Sequence, residues 1–149
     1  MRNEVPIRAA LLALSLTLAA GALEGLAAGR DVRGRLAEVR QPSGSPPLVL
    51  WVGVAALYYV TSFIIAMRLL GASPLRGPRA VAFGLLVALL LGNALWNAAF
   101  FRRRDVRLSW WVALTYALLA LGLAVALWRA DRVALWVFAL YLFYLGYGT

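Results

Sequence analysis

Five long apolar runs, separated by short arginine-rich segments, set the strongest constraint on how this chain can fold. A helix needs about 20 mostly apolar residues to cross a bilayer. Because 64% of the 149 residues are hydrophobic and only 14% are charged, too few polar residues remain to cover a water-soluble domain. The sequence therefore predicts an all-α integral membrane protein, a single domain (1–149) built as a bundle of five transmembrane helices. Their expected bounds are about 6–28, 47–70, 80–101, 108–128 and 132–148.

The charged residues fit the same membrane setting. All 15 basic residues are arginine, the formal net charge is +9, and most arginines lie between the apolar runs, where they would meet anionic lipid headgroups. The expected partner is therefore the lipid bilayer and not nucleic acid. Five spans would divide the arginines almost equally between the two sides, so the positive-inside rule gives no orientation. A multi-pass protein of a bacterial cell membrane is the expected location.

The absence of two residue types limits the reactions and metal sites that the chain could support. The chain has no cysteine and no histidine, which excludes disulfides, a cysteine nucleophile, imidazole acid–base catalysis and the ordinary zinc sites. A haem iron would have only Met67 or a tyrosine as a weaker axial ligand. We therefore predict no catalytic residues, no metal ligands and no required cofactor, although an enzyme stays open as an alternative.

The first apolar run raises two further questions. It could be a signal peptide, but its apolar length exceeds the core of about 7–15 residues that such peptides have. The glycines at positions 21, 25 and 29 favour close helix packing instead. Glu24 is the one acid well inside a span, and we expect it to reach the headgroups or to pair with a loop arginine.

The third run contains the polar residues that point most directly to a site. Asn93 and Asn97 are four residues apart and therefore share a helix face, with Trp96 and Phe100 beside them. An amide facing hydrocarbon would lose its hydrogen bonds at a cost of about 1–3 kcal/mol, so both should point into the bundle. They could act there as interhelical contacts, or as the polar groups of an aromatic-lined ligand cavity.

Aromatic residues of the second and fifth runs favour the interpretation as a ligand cavity. Hydroxyls near mid-span need a partner, and aromatic faces with sparse polar groups would suit a large, flat, mostly apolar ligand. The predicted ligand-binding residues from the three runs are Trp51, Tyr58, Tyr59, Asn93, Trp96, Asn97, Phe100, Tyr141 and Tyr144.

A ridge of small residues also follows the third run. Gly84, Ala88 and Gly92 recur every four residues, a spacing that lets another helix approach closely. The partner could be a helix of the same chain or of a second copy. We note the ridge as a candidate homodimer interface, with packing inside the monomer as the alternative.

Three motifs in order resemble the TspO/MBR family, the tryptophan-rich sensory or translocator proteins. In "RQPSGSPPLVLWVGVAALYY" the prolines and Trp51 look like the family's segment of a proline pair followed by an aromatic helix. Asn93, Trp96 and the Phe100–Phe101 pair are similar to its third-helix signature. The final run, "DRVALWVFALYLFYLGYGT", is similar to its last span at Tyr141 and Tyr144. Several aromatic residues of the family are replaced here: its first-loop Trp-Tyr pair falls on Arg35 and Leu36, and its second-helix tryptophans fall on Val49 and Ala55.

The resemblance implies a five-helix, often dimeric protein whose cavity binds porphyrins, haem-like tetrapyrroles or sterols under the first loop. At its mouth Arg35 and Arg40 could pair with tetrapyrrole carboxylates, or instead contact lipid phosphate. The leading hypothesis is thus a membrane-embedded binding or sensory protein with a part in ligand transport or regulation. One alternative is a porphyrin-modifying enzyme, although the replacement of family tryptophans argues against it. The other alternative is a structural membrane subunit without a ligand.

Overall fold

The chain is helical almost throughout the part that the structure, a computed structural model, describes: residues 7–38, 48–72 and 75–148. No strand occurs in these ranges. The elements are α1 (Ile7–Ala28), α2 (Val32–Glu38), α3 (Leu48–Gly71), α4 (Pro78–Asn97), a π-helical turn (Ala98–Arg102), α5 (Val106–Ala130) and α6 (Arg132–Gly148). With the π-helical turn counted as the continuation of α4, the long helices begin and end within two residues of the apolar runs, whereas the short helix α2 in the first loop was not predicted.

Four of the helical segments are long and apolar enough to cross a membrane. They are Ile7–Ala28, Val52–Gly71, Pro78–Arg102 and Val106–Ala130. The part of α6 whose side chains the structure describes, Arg132–Phe143, is shorter than these spans. The prediction of an all-α chain with membrane-spanning helices is therefore confirmed for the described residues, and the fifth span stays a prediction.

The core lies where α4 packs on α5, with α3 and α6 closing one side. The side chains of Leu86 and Leu89 from α4 and of Leu123 and Leu127 from α5 are fully buried there, next to Phe138 of α6. Leucines on the opposite faces of the same helices stay exposed, which is the arrangement expected when lipid covers the outside. Apolar residues on both faces explain why each of these helices reads as continuously hydrophobic.

Helix α1 packs through small residues against α3 and α4. Ala9, Ala13 and Ala20 are buried on its inner face, whereas large side chains such as Leu18 point outward. The buried hydroxyl of Thr17 donates to the carbonyl of Ala13 at 3.0 Å, so it needs no partner on another helix. This alanine face offers little apolar area. Other contacts must therefore help to hold α1 against α3 and α4.

Asp131 fixes the turn between α5 and α6. Its carboxylate forms two hydrogen bonds with Arg68 of α3, at 2.9 and 3.0 Å. One oxygen also accepts the backbone N–H groups of Val133 and Ala134, which caps the first turn of α6. Burial alone would raise the pKa of Asp131, but these hydrogen bonds and the Arg68 charge outweigh it and lower the pKa below its ordinary value.

We predict that Asp131→Asn removes a pH-dependent part of the stability, because asparagine keeps the helix cap and loses the ion pair. A pKa lowered on folding stabilises the protein above the ordinary aspartate pKa of about 4, and this stabilisation is lost as the pH falls through the folded value. The variant should be less stable by about 1 kcal/mol at near-neutral pH. Denaturant unfolding in micelles should show the difference shrinking toward zero in acid. A difference that is constant with pH would contradict the ion-pair account.

Candidate functional site

A polar cluster inside the bundle joins three helices at Glu24. The hydroxyl of Tyr59 from α3 donates to one oxygen of the Glu24 carboxylate. Asn93 Nδ2 from α4 donates to the same oxygen at 2.7 Å, and Asn97 Nδ2 donates to the other oxygen at 3.0 Å. Three neutral donors therefore converge on one acceptor, and we refer to Glu24, Tyr59, Asn93 and Asn97 as the Glu24 cluster.

Local sequence explains how α1 admits this cluster. Gly21 lies one turn before Glu24 on the same face of α1, and a Cβ there would be 3.5 Å from Cζ of Tyr59. The tyrosine ring packs across this glycine, and its hydroxyl reaches the Glu24 carboxylate. On α4 the spacing of four residues places both amides on the face that meets α1, and Asn97 is buried.

A tyrosine group continues from the Glu24 cluster toward α5 and α6. The rings of Tyr58 and Tyr59 are 5.2 Å apart, and Tyr58 lies 5.0 Å from the ring of Tyr141. The hydroxyls of Tyr141 and Tyr116 share a hydrogen bond. The buried hydroxyl of Tyr58 is next to this pair, yet makes no hydrogen bond of standard geometry to any residue that the structure describes.

Stacked aromatic rings occupy the end of α4. Trp96 stacks on Phe100 with ring centroids 4.9 Å apart, and Phe101 meets both rings edge to face. The guanidinium of Arg35 lies 5.3 Å from the Phe100 ring centroid and donates from Nε to the Phe100 carbonyl at 3.3 Å. This carbonyl lies in the π-helical turn, where helix-end carbonyls need partners. Arg35 thus connects α2 to the aromatic end of α4.

Ion pairs hold α2 over the same end of the bundle. Arg104, with a positive φ of 55° just after the π-helical turn, pairs with Asp31 and with Glu38, in each case at 3.1 Å. Arg35 also pairs with Glu38 at 3.4 Å. These charges are partly exposed, so each pair contributes little by itself. Together they place the first loop above Trp96 and Phe100.

Three predicted site residues cannot be placed. Arg40 lies outside the described residues, and the side chains of Trp51 in α3 and of Tyr144 in α6 are likewise not described. The others fall into the groups above: Tyr59, Asn93 and Asn97 around Glu24, Tyr58 with Tyr141, and Trp96, Phe100 and Arg35 at the end of α4. Whether any of them binds a ligand stays a prediction.

The structure also shows site residues that sequence reasoning missed. Among the described residues Glu24 pairs with no arginine; its partners there are the two asparagines and Tyr59. The signal available in the sequence was the rarity of an acid inside a span. Tyr116 was not singled out, because a lone tyrosine in α5 has no distinguishing pattern. Among the described residues no group of three His, Cys, Asp or Glu side chains could hold a metal ion.

The small-residue ridge of α4 divides between two environments. A Cβ at Gly92 would lie 3.4 Å from Cδ2 of Tyr116, so Gly92 packs against α5 of the same chain. A Cβ at Gly84 would meet nothing within 4 Å, and Gly84 is exposed. Ala88 between them is half-buried. The homodimer contact through Gly84, Ala88 and Gly92 therefore stays a prediction. Of the three, Gly92 packs against a helix of the same monomer.

Comparison with known proteins assigns the family. The model of the TspO/MBR family matches residues 13–149, nearly the whole chain. The chain belongs to the TspO/MBR family. No curated protein and no solved structure matches it. Family membership and the four long apolar helices among the described residues show that this TspO/MBR protein is an integral membrane protein. Both observations are consistent with a sensory or ligand-binding role.

Proposed function

We propose that this TspO/MBR protein is a membrane-embedded binding and sensory protein for planar, mostly apolar ligands such as tetrapyrroles or sterols. The observation that carries the proposal is the Glu24 cluster. An acid inside a span is costly and usually marks a functional site. Here it is surrounded by donors from two other helices and lies near the stacked rings of Trp96 and Phe100.

Helix α6 completes a bundle of five spans in this proposal. Its 17 residues extend about 25 Å at 1.5 Å per residue, slightly less than the hydrocarbon thickness of about 30 Å. A locally thinner bilayer would accommodate the difference. The fifth span would run from the α5–α6 turn back toward the membrane surface at which α2 lies.

The chemistry of the site suggests how such a ligand would be oriented. Arg35 and the other arginines of the first loop would attract the carboxylates of a tetrapyrrole. The Glu24 carboxylate would repel them and accept hydrogen bonds from donor groups of the ligand. The buried Tyr58 hydroxyl offers another polar contact, and the aromatic rings offer faces for stacking. A ligand would therefore lie with its anionic end toward α2.

Protoporphyrin titration tests the proposal. Quenching of tryptophan fluorescence should saturate in the wild-type protein, and Trp96→Phe should remove part of the quenching while leaving saturation. Asn93→Leu removes a donor that holds the Glu24 carboxylate in position and should weaken the apparent affinity about fivefold, the equivalent of about 1 kcal/mol.

Two controls make the titration specific. Trp136→Phe alters an outward-facing tryptophan that is 72% exposed and should leave the affinity unchanged. Empty micelles measure partition of the porphyrin into detergent. If Trp96→Phe and Asn93→Leu titrate like the wild type, the porphyrin does not bind beside the Glu24 cluster.

A further inference from the structure

A shallow cavity, largely open to the outside, lies at the turn between α5 and α6. It has a volume of about 430 Å³ and is lined by five consecutive residues, Trp128 to Arg132. The 25 residues of α5 span about 37 Å at 1.5 Å per residue, so this cavity and the aromatic end of α4 are at opposite membrane surfaces.

Two arginines give this cavity a positive charge. Within the ranges that the structure describes, neither Arg129 nor Arg132 lies within ion-pair distance of a carboxylate. The nearby Asp131 is already engaged by Arg68 and by two backbone amides of α6. The guanidinium of Arg132 lies 4.8 Å from the Trp128 ring centroid, which restrains it at the rim of the cavity. An anion could therefore be bound there.

The surface beside the cavity is apolar and faces outward. Trp128 is 58% exposed, and Val125 and Val133 on the two adjoining helices are exposed to a similar degree. Tryptophan commonly lies at the level of the lipid headgroups. The arrangement thus offers cations at the membrane surface and, directly below them, a face that acyl chains can cover.

We propose that the α5–α6 turn is a binding site for an anionic phospholipid. Arg129 and Arg132 bind the phosphate of the headgroup, for which a guanidinium can supply paired N–H donors. The acyl chains lie along Trp128 and the valines below it. This site is independent of the ligand site at the Glu24 cluster, because it uses other residues at the other membrane surface.

Lipid titration of the purified protein tests the site. Phosphatidylglycerol, added to protein in neutral detergent, should raise the thermal unfolding midpoint, and phosphatidylcholine should raise it much less. Arg132→Gln and Arg129→Gln should each weaken the apparent affinity for phosphatidylglycerol about fivefold. Arg76→Gln removes one exposed arginine charge from the same side of the bundle and serves as the matched control, with no such effect.

Each outcome of this titration decides for or against the site. Selective loss in the Arg129 and Arg132 variants, with unfolding midpoints unchanged in neutral detergent, supports it. An equal loss in Arg76→Gln would show a general charge effect and overturn it. A full shift produced by inorganic phosphate or glycerol phosphate alone would overturn the lipid as ligand, since the apolar face would then contribute nothing.

Discussion

Replacing Glu24 with leucine should lower the free energy of unfolding by about 2–4 kcal/mol. Tyr59 and Asn93 would lose their acceptor, and an unsatisfied buried donor costs about 1–3 kcal/mol. Asn97 would keep its second acceptor, the carbonyl of Asn93. The expected loss of stability is smaller than the full cost of these lost hydrogen bonds, because Glu24 is only half-buried and because intramembrane hydrogen bonds average about 0.6 kcal/mol each. The small-residue face of α1 has little else to offset the loss, so α1 should detach first.

Unfolding by a denaturing detergent, followed by circular dichroism, measures this loss. Glu24→Gln should cost less than Glu24→Leu, because the amide keeps one oxygen as an acceptor. Leu26→Ala is the matched control: it lies on the same helix, its side chain is 74% exposed, and its effect should stay within about 0.5 kcal/mol. A Glu24→Leu variant as stable as this control would show that the cluster does not hold α1.

The same variants separate helix packing from ligand recognition. If the Glu24 cluster serves only to join α1 to its neighbours, Glu24→Gln should bind protoporphyrin like the wild type once the protein is folded. If the carboxylate accepts hydrogen bonds from the ligand, the variant should bind more weakly even under conditions where its helix content is unchanged. The proposed function requires the second result.

The sequence predicted the long helices well because lipid imposes one physical requirement on all of them. A span needs an apolar run of fixed minimum length, and arginines mark where each run ends. The seven-residue helix α2 has no such run. Its position depends on Arg104, which lies 66 residues away from its partner Glu38 in the chain, and no local pattern predicts a contact at that separation.

The site was predictable in part for a similar reason. Because exposing an amide to hydrocarbon is costly, we could correctly predict that Asn93 and Asn97 point into the bundle. It did not identify their partner, because Glu24 lies 69 residues from Asn93 and its rotation about α1 depends on how the helices pack. The same limit applies to Tyr116, which contributes to the tyrosine group only because α5 and α6 bring it to Tyr141.

Two glycine substitutions should give opposite results on the small-residue ridge of α4. Gly92→Leu should destabilise the monomer by about 3 kcal/mol, since overpacking a close helix contact costs about 1–3 kcal/mol and occasionally more. Tyr116 is buried behind this position and has little room to move. Gly84→Leu should change the unfolding free energy by less than about 0.5 kcal/mol, because its side chain would enter open space.

Measuring oligomeric state alongside stability determines what the exposed part of the ridge does. Cross-linking or light scattering in mild detergent should show fewer dimers for Gly84→Leu if a second copy packs there, with the monomer fold intact. Leu95→Ala, three turns further along α4 at a side chain that is 56% exposed, is a control for general effects of substitution. If Gly84→Leu dimerises like the wild type and Gly92→Leu unfolds, the ridge serves packing within one chain, and an interface between copies must lie elsewhere.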